Sequence, residues 1–410
     1  MRVKDFTKKV GSGVTPRGGA EVYQDHGVPL FRSQNVTNEG FLLDDIAYIS
    51  EEIDESMSGT RVKPNDVLLN ITGASIGRCY YTPSDFERGN VNQHVCIIRP
   101  TKKVIAPYLY YNLISDNGQR QIDLTQTGSN REGLTKENIC NFEFEVPSLD
   151  TQRCIVSFLD SHVLSIDKRV SLLVTKRDHY LRLKTAIINR AVTQGLNPDV
   201  KMKDSGVEWI GMIPEHWEIR RMKDLSSYIS RGSTPDYVDE SNFAVMNQAT
   251  FSKGYIDFDI VRYSSPMKKD SKLQNGDLIM ASTGGGILGK VFYFENTQKD
   301  FYADTHVTII RGSNDLYSKF AYYYFTTRYE MINALMAKGS TNQTELQRDA
   351  LLRHVLPVPS MVEQREITAY LDEKCAKIDA IVENLNQQIE KHKFLKRALI
   401  NEVITGQRAV

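Results

Sequence analysis

The sequence predicts an α+β protein built as two copies of one unit, each a mixed helix-and-strand domain followed by a long helix. Three observations carry this expectation. The chain repeats itself over nearly its whole length, two segments show apolar residues at heptad spacing, and the regions before them alternate short apolar runs with Gly- and Asn-rich turns. The 410 residues also exceed one ordinary domain.

The repeat has a period of 212 residues at its best-matched point, where Gln152-Arg153-Cys154-Ile155 returns as Gln364-Arg365-Glu366-Ile367. At the same shift Leu159-Asp160 matches Leu371-Asp372, Ile166-Asp167 matches Ile378-Asp379, and Leu183-Lys184 matches Leu395-Lys396. Upstream the match continues with small slips. Val146-Pro147-Ser148 answers Val358-Pro359-Ser360, His94-Val95 answers His306-Val307, and Thr72-Gly73 answers Thr283-Gly284. Gly13-Val14-Thr15-Pro16 answers Gly232-Ser233-Thr234-Pro235.

The first mixed domain is read at 1–150. Val67-Leu68-Leu69 is a strand between turns, and Tyr108–Ile122 is an aromatic helix. A helix is predicted over 151–194, because Leu159, Ile166, Leu173, Tyr180 and Ile187 recur every seven residues beside Val156, Val163 and Val170. The segment 195–221, with Asn197-Pro198, Gly206, Gly211 and Pro214, reads as a linker. The second mixed domain follows at 222–360, with the strand Val307-Thr308-Ile309-Ile310 and a helix near Tyr317–Met336. The second long helix is placed at 361–410, with Leu371, Ile378, Leu385 and Leu399 in one series and Thr368, Cys375, Val382 and Ile389 in the other. A helix of this length spans about 60 Å, and its period of seven favours a partner helix over one-sided packing. The two are expected to pair with each other as an antiparallel coiled coil, with Leu159, Ile166, Leu173, Leu371, Ile378 and Leu385 at the interface.

Lys+Arg and Asp+Glu are both 51, which argues against a protein held on DNA by bulk charge. A local basic face is compatible with that balance. Five scattered cysteines with no C-x-x-C pair read as reduced, mostly buried thiols, not a zinc site. No apolar run approaches a membrane span, and the first residues lack a signal-peptide core, so the expectation is a cytoplasmic protein with no membrane partner.

Catalytic motifs are incomplete. Gly284–Val291 nearly matches the P-loop pattern, but Val291 stands where a hydroxyl must meet Mg²⁺, so the glycines read as a tight loop. Asn197-Pro198-Asp199-Val200 lacks the second Pro and the aromatic residue of an amino-methyltransferase motif. Asp236 with Asp270 and Lys272 only loosely resembles a nuclease set, and the first repeat has Arg17 in place of Asp236. No metal-ligand spacing occurs among the histidines.

What recurs is a set of polar loops at matching places. In the first repeat they contain Arg17, then Arg32, Gln34 and Asn35, then Ser75, then Asn130 and Arg131. In the second they contain Arg231 and Ser233, then Asn247 and Gln248, then Lys338, Thr341 and Gln343. His94 and His306 stand at equivalent strand starts, either as structural histidines or on a DNA-facing surface. Arg, Asn and Gln suit base edges because each can make two hydrogen bonds to one purine, whereas Lys and small-residue amides suit phosphates. Solvated loops with no ligand would share this composition.

The central segment Gly195-Leu196-Asn197-Pro198 and above all Ser205-Gly206-Val207-Glu208-Trp209-Ile210-Gly211-Met212-Ile213-Pro214-Glu215-His216-Trp217 closely resembles that of specificity (S) subunits of type I restriction–modification systems. The order of parts agrees, and the resemblance covers essentially the whole chain. One departure is that Val3-Lys4-Asp5-Phe6, the match to Met222-Lys223-Asp224-Leu225, lacks its own copy of the Ile213–Trp217 lead-in. The resemblance implies two target-recognition domains, each reading one half of a split site in double-stranded DNA. It implies spacer helices that set the distance between the halves and dock two methyltransferase subunits, with motor-nuclease (restriction) subunits joining them. It implies no cofactor in this chain: S-adenosylmethionine belongs to the methyltransferase subunits, ATP and Mg to the motor-nuclease subunits. The other readings are a single-chain duplicated DNA-modifying enzyme and a non-DNA interaction scaffold.

Overall fold

The alternation of buried residues along the central strands explains the architecture. In a computed structural model, the residues described are 1–125, 133–295, 299–339 and 344–410. They form two compact units, Met1–Val174 with Asn386–Val410, and Thr175–Leu385.

In unit 1 the strands Thr7–Ser12, Val95–Pro100, Val67–Asn70 and Cys79–Tyr81 lie side by side in that order, each antiparallel to its neighbour. Successive side chains of a strand point to opposite faces. Val67, Leu69, Cys96 and Ile98 accordingly enter the main core, packed on the helix Ala106–Ile114 and on the long helices. Leu68, Val95 and Ile97 enter a second core with Phe31 and Val36. Both faces are covered, which is why these strands read as continuous apolar runs. A smaller sheet, Ala47–Ile49, Val28–Phe31 and Asn90–Val91, extends beyond that second core.

Unit 2 repeats the pattern with Ser226–Arg231, Val307–Gly312, Leu278–Ala281 and Val291–Tyr293. Leu278, Met280 and Ile310 face the helices, while Ile279, Ala281, Val307 and Ile309 face the smaller core.

Each expected aromatic helix is broken in two: Ala106–Ile114 and Asp116–Thr125, then Ser318–Thr326 and Tyr329–Met336. The first break is at Ser115, which is extended, and whose hydroxyl accepts the N–H of Gly118 at 3.2 Å. Gly118 has no room for a side chain, because a Cβ there would lie 2.2 Å from the carbonyl oxygen of Asn112.

The long helices run Leu149–Gln194 and Met361–Ile404, close to the expected spans. Within unit 1 their segments run antiparallel. Leu159, Val163 and Ile166 share a core with Leu399, Ile400, Val403 and Ile404, and Lys396 Nζ sits 2.9 Å from Asp167. Within unit 2, Ile188, Ala191 and Val192 share a core with Ile367, Leu371 and Cys375, and Lys184 Nζ sits 2.6 Å from Asp379. The repeat carries Asp167 onto Asp379 and Lys184 onto Lys396, so one ion pair is made twice with its partners exchanged. Leu159, Leu371, Ile378 and Leu385 are buried, and Ile166 and Leu173 are half-buried.

The segment 195–221 is folded and is not a loose linker. Met202–Asp204 pairs with Met212–Pro214, and Glu218–Arg221 pairs with Val355–Val358. Ile210, Ile213 and the fully buried Trp217 drive this by joining the core of unit 2. In unit 1 residues 1–3 make the corresponding pairing: Phe144 N–H donates to Met1 O at 3.0 Å and Val3 N–H to Phe142 O at 2.9 Å. Of the five free cysteines, Cys79, Cys96 and Cys375 are buried, Cys140 is half-buried and Cys154 is exposed. No helix among the described residues is long and apolar enough to cross a membrane.

Two outcomes follow from this packing. Leu371 is fully buried between the helix segments of unit 2, so Leu371→Ala is expected to cost about 2–5 kcal/mol, measured by denaturant unfolding. His354 is 5% exposed, and burial, aided by the charge of Arg328, lowers its pKa to about 4. The unfolded chain therefore takes up a proton below its ordinary value of 6.5 that the folded chain refuses, and stability falls with pH in that window. Between about pH 7 and about pH 5 the loss from this group is about 2 kcal/mol. His354→Gln is expected to remove that part of the pH dependence, as read by comparing unfolding curves with those of the parent chain.

Candidate nucleic-acid interface

The strand directions bring the polar loops together at one end of each unit. In unit 1 the ends of Thr7–Ser12 and Val67–Asn70 lie beside the start of Val95–Pro100, where Ser12 faces Cys96 and Asn70 faces Val95. The loops that follow Ser12 and Asn70 and the loop that precedes Val95 therefore share an edge. The turn Ser33–Asn35 joins them, held by Asn70 Nδ2, which donates to Ser33 O at 2.8 Å and Val36 O at 3.1 Å.

At the middle of this edge Thr72 Oγ1 lies 2.6 Å from His94 Nδ1, and Gln93 Nε2 lies 2.9 Å from His94 Nε2. The backbone N–H of His94 donates to Asn92 Oδ1 at 3.1 Å, which fixes the loop. Gly13 packs directly on this loop, since a Cβ there would fall 1.9 Å from Val91 O. Thr72 pairs with Gly133, the residue that follows the segment containing Asn130 and Arg131. Asn130 and Arg131 themselves, like Thr341 and Gln343, lie outside the described residues.

Unit 2 builds the same edge. Thr283 Oγ1 lies 2.8 Å from His306 Nδ1 and 3.3 Å from Gln248 Oε1. His306 N–H donates to Asp304 Oδ1 at 2.8 Å, and burial holds the Asp304 carboxyl above the usual carboxylate range. Gly232 meets Ala303 O as Gly13 meets Val91 O, at 2.0 Å from an added Cβ. The Thr–His pair was legible as two matching positions, but its contact was not.

The candidate residues divide by what already holds them. Asn35 is buried, with its amide donating to Leu42 O and Asp45 O, so its role is to close a turn and not to face a ligand. Asn247 caps the short helix Gln248–Phe251 through bonds to the N–H groups of Ala249 and Thr250. Arg32 and Gln34 both engage Asp45. Arg231 donates to Leu346 O at 3.1 Å and lies 3.5 Å from Glu345. Ser233 donates to Ser271 Oγ at 3.0 Å, and Ser75, itself half-buried, ends the otherwise exposed turn Gly73–Ser75. Arg17 and Lys338 are exposed and make no side-chain hydrogen bond or ion pair among the described residues.

The glycines of Gly284–Val291 form the tight loop expected of them, with positive φ at Gly284, Gly286 and Gly289. Lys272 pairs with Asp300 at 2.6 Å. Among the described residues no group of three or more His, Cys, Asp or Glu could hold a metal ion.

Two copies of one polar edge, each on an α+β unit joined to a paired-helix spacer, define a duplicated recognition protein. The family model described as "Type I restriction modification DNA specificity domain" matches residues 1–172 and 214–391. The chain belongs to this family of type I restriction–modification DNA specificity proteins. It is similar to the type I restriction enzyme EcoKI specificity subunit of Escherichia coli K12, 19% identical over 94% of this chain and 83% of the relative. It is also similar to the putative MjaX specificity subunit of Methanocaldococcus jannaschii, 24% identical over 48% of this chain and 47% of that one. The fold matches a chain solved in a study of complex assembly and conformational transition of the type I R-M system, with TM-score 0.74, 16% identity, and 98% and 96% of the two chains covered. It also matches the HsdS subunit from Thermoanaerobacter tengcongensis, with TM-score 0.51, 16% identity, and 100% and 96% covered. The role of this chain is sequence-specific DNA recognition; the enzyme and scaffold readings find no support.

Gly232→Ala tests the close approach on which the second edge rests. The added methyl group must displace backbone, so a loss of about 1–3 kcal/mol is expected. The shift moves Arg231 and Ser233, and weaker DNA binding is expected with it. Melting and duplex binding, measured on the same preparation, check both.

Proposed function

We propose that each unit reads one half of a split site in double-stranded DNA, and that the chain supplies specificity without catalysis. One observation carries this reading: the same Thr–His edge is built twice, while the loops around it carry different side chains. Equal frames with unequal contact residues suit two unlike half-sites. The spacer helices set the separation of the halves and carry two methyltransferase subunits, which bring S-adenosylmethionine. Restriction subunits add ATP- and Mg-dependent translocation and cleavage, and the assembly works in the cytoplasm. The incomplete P-loop and methyltransferase motifs support a chain with no chemistry of its own.

In this reading Arg17, Arg32, Gln34, Ser75, His94, Asn130 and Arg131 serve the first half-site. Arg231, Ser233, Gln248, His306, Lys338, Thr341 and Gln343 serve the second. Loss of one bidentate base contact costs ~1–3 kcal/mol of discrimination, about ten- to hundredfold. Arg131→Ala is therefore expected to relax base preference only in the half-site read by unit 1, and Gln343→Ala only in the other. A phosphate contact would instead weaken all sequences alike and lower the salt slope. The measurement is methylation by the assembled complex across a duplex library randomised in each half-site, with the chain alone as a control that transfers no methyl group. Equal changes in both halves from either variant would refute independent reading.

A further inference from the structure

The two repeats differ in charge at one place beside the spacer. In unit 1, Asp116 opens the helix Asp116–Thr125 and binds Arg397 and Asn401 of the second spacer helix through its carboxylate. Its own backbone N–H donates to Asn401 Oδ1 at 2.6 Å. The repeat puts Arg328 where Asp116 stands, Thr185 where Arg397 stands and Asn189 where Asn401 stands. Unit 2 thus has the base without an acid to match it.

Arg328 is 8% exposed. Its Nη1 donates to Asn189 Oδ1 at 3.1 Å, Tyr324 O at 3.0 Å and Thr327 Oγ1 at 2.9 Å, and its guanidinium carbon lies 3.9 Å from the centroid of the Tyr324 ring. All these acceptors are neutral, and no carboxylate among the described residues pairs with it. The guanidinium also interacts with the Tyr324 hydroxyl; Nε and Nη2 make no other hydrogen bond among the described residues, and neither is sealed off. Arg328 lines a pocket of about 650 Å³ whose walls include Thr185, Asn189, Trp209 and the first turn of the helix Tyr329–Met336, where Glu330 puts one carboxylate on the wall without pairing with Arg328. That helix start adds free N–H groups and the positive end of its dipole. A buried cation without an anion is costly, and an open pocket in front of it is where the anion belongs.

We infer that this pocket is a carboxylate-binding site, filled by an Asp or Glu side chain of a partner protein that bonds to Nε and Nη2 of Arg328. The chain itself shows the chemistry, since unit 1 fills the equivalent place with an Asp–Arg pair. The surroundings favour a protein over a DNA phosphate. One wall is the spacer helix, and Trp209, 47% exposed, forms the rim; Trp and Arg are the side chains most enriched at protein–protein hot spots. The helix Tyr329–Met336, about 12 Å long, separates the pocket from Lys338 at the recognition edge. The inference rests on the reading that the spacer carries partner subunits.

The test uses the full chain with its methyltransferase subunits. Acetate is expected to raise the melting temperature of the chain more than chloride at equal ionic strength, and Arg328→Gln to abolish that difference. Arg328→Gln is expected to raise the Kd for a methyltransferase subunit about thirtyfold or more. Thr185→Asp supplies an internal carboxylate in place of the partner's. It guards against a folding defect in the first variant, and is expected to hold or raise the melting temperature while weakening assembly. Unchanged assembly in both variants would overturn the proposal. So would preferential stabilisation by inorganic phosphate, joined to a lower salt slope of DNA binding in Arg328→Gln with assembly intact, which would make this a DNA-phosphate site. A parent chain that binds no methyltransferase subunit yet responds to acetate would instead refute the reading of the spacer, and no response to acetate would refute the site itself.

Discussion

Two buried glutamines tie the recognition domains to the spacer. Gln152 Oε1 accepts the N–H of Ile105 at 3.1 Å, and its Nε2 donates to Lys103 O and Pro147 O at 2.9 Å each. Gln364 repeats this with Tyr317 N–H at 2.8 Å, Asp315 O at 2.9 Å and Pro359 O at 3.0 Å. Both are fully buried, so an unpaired amide at either place would carry a full desolvation cost. Each glutamine sits in the first turn of its long helix and satisfies the loop that leads into the aromatic helix. It thereby fixes the direction in which the spacer leaves the domain. A second tie lies two turns on, where Tyr111 bonds Asp160 at 2.7 Å and Tyr323 bonds Asp372 at 2.6 Å. Without such ties the spacer could still pair, but it could not hold a recognition edge in a fixed orientation.

At the end of the central strands opposite each edge a second frame is held by charge. Asp66 and Arg99 in unit 1, and Asp277 and Arg311 in unit 2, form two-point ion pairs at 2.7 Å with the carboxylates buried. The smaller sheets are less alike. Unit 1 secures its outer layer through buried Asp54, which meets Arg61, Arg88 and Asn90. Burial alone would push that carboxyl up, yet the three hydrogen bonds hold it below the usual range. Unit 2 has a four-stranded outer sheet, with Tyr237–Val238 as an added edge. The frame next to the spacer is thus kept in both copies, and the divergence is concentrated in the outer layer and the loops. The Asn92–Asp304 exchange shows how far the frame tolerates change: either side chain can accept the same histidine N–H.

The duplication, the two long helices and their inward faces were determined by the sequence itself. Heptad spacing is local, and a period of seven leaves few alternatives. The central strands were legible for a similar reason, as unbroken apolar runs that only a sheet covered on both faces can use. The loops were legible as composition and no further. Asn35 and Gln34 are neighbours of one polar type, yet one is buried and the other exposed, because the carbonyls of Leu42 and Asp45 reach only the first. Thr72 and His94 are 22 residues apart, and their contact exists only because antiparallel register sets Asn70 opposite Val95. The segment 195–221 reads as linker from its Gly and Pro, but the burial of Trp217 turns it into part of a core. Arg328 belongs to the same class: only the folded chain shows that it is buried with no carboxylate paired to it among the described residues. Sequence periodicity fixes what a residue shares with its own helix or strand. Which distant groups satisfy a polar side chain, and which leave it unsatisfied, depends on contacts that only tertiary structure makes.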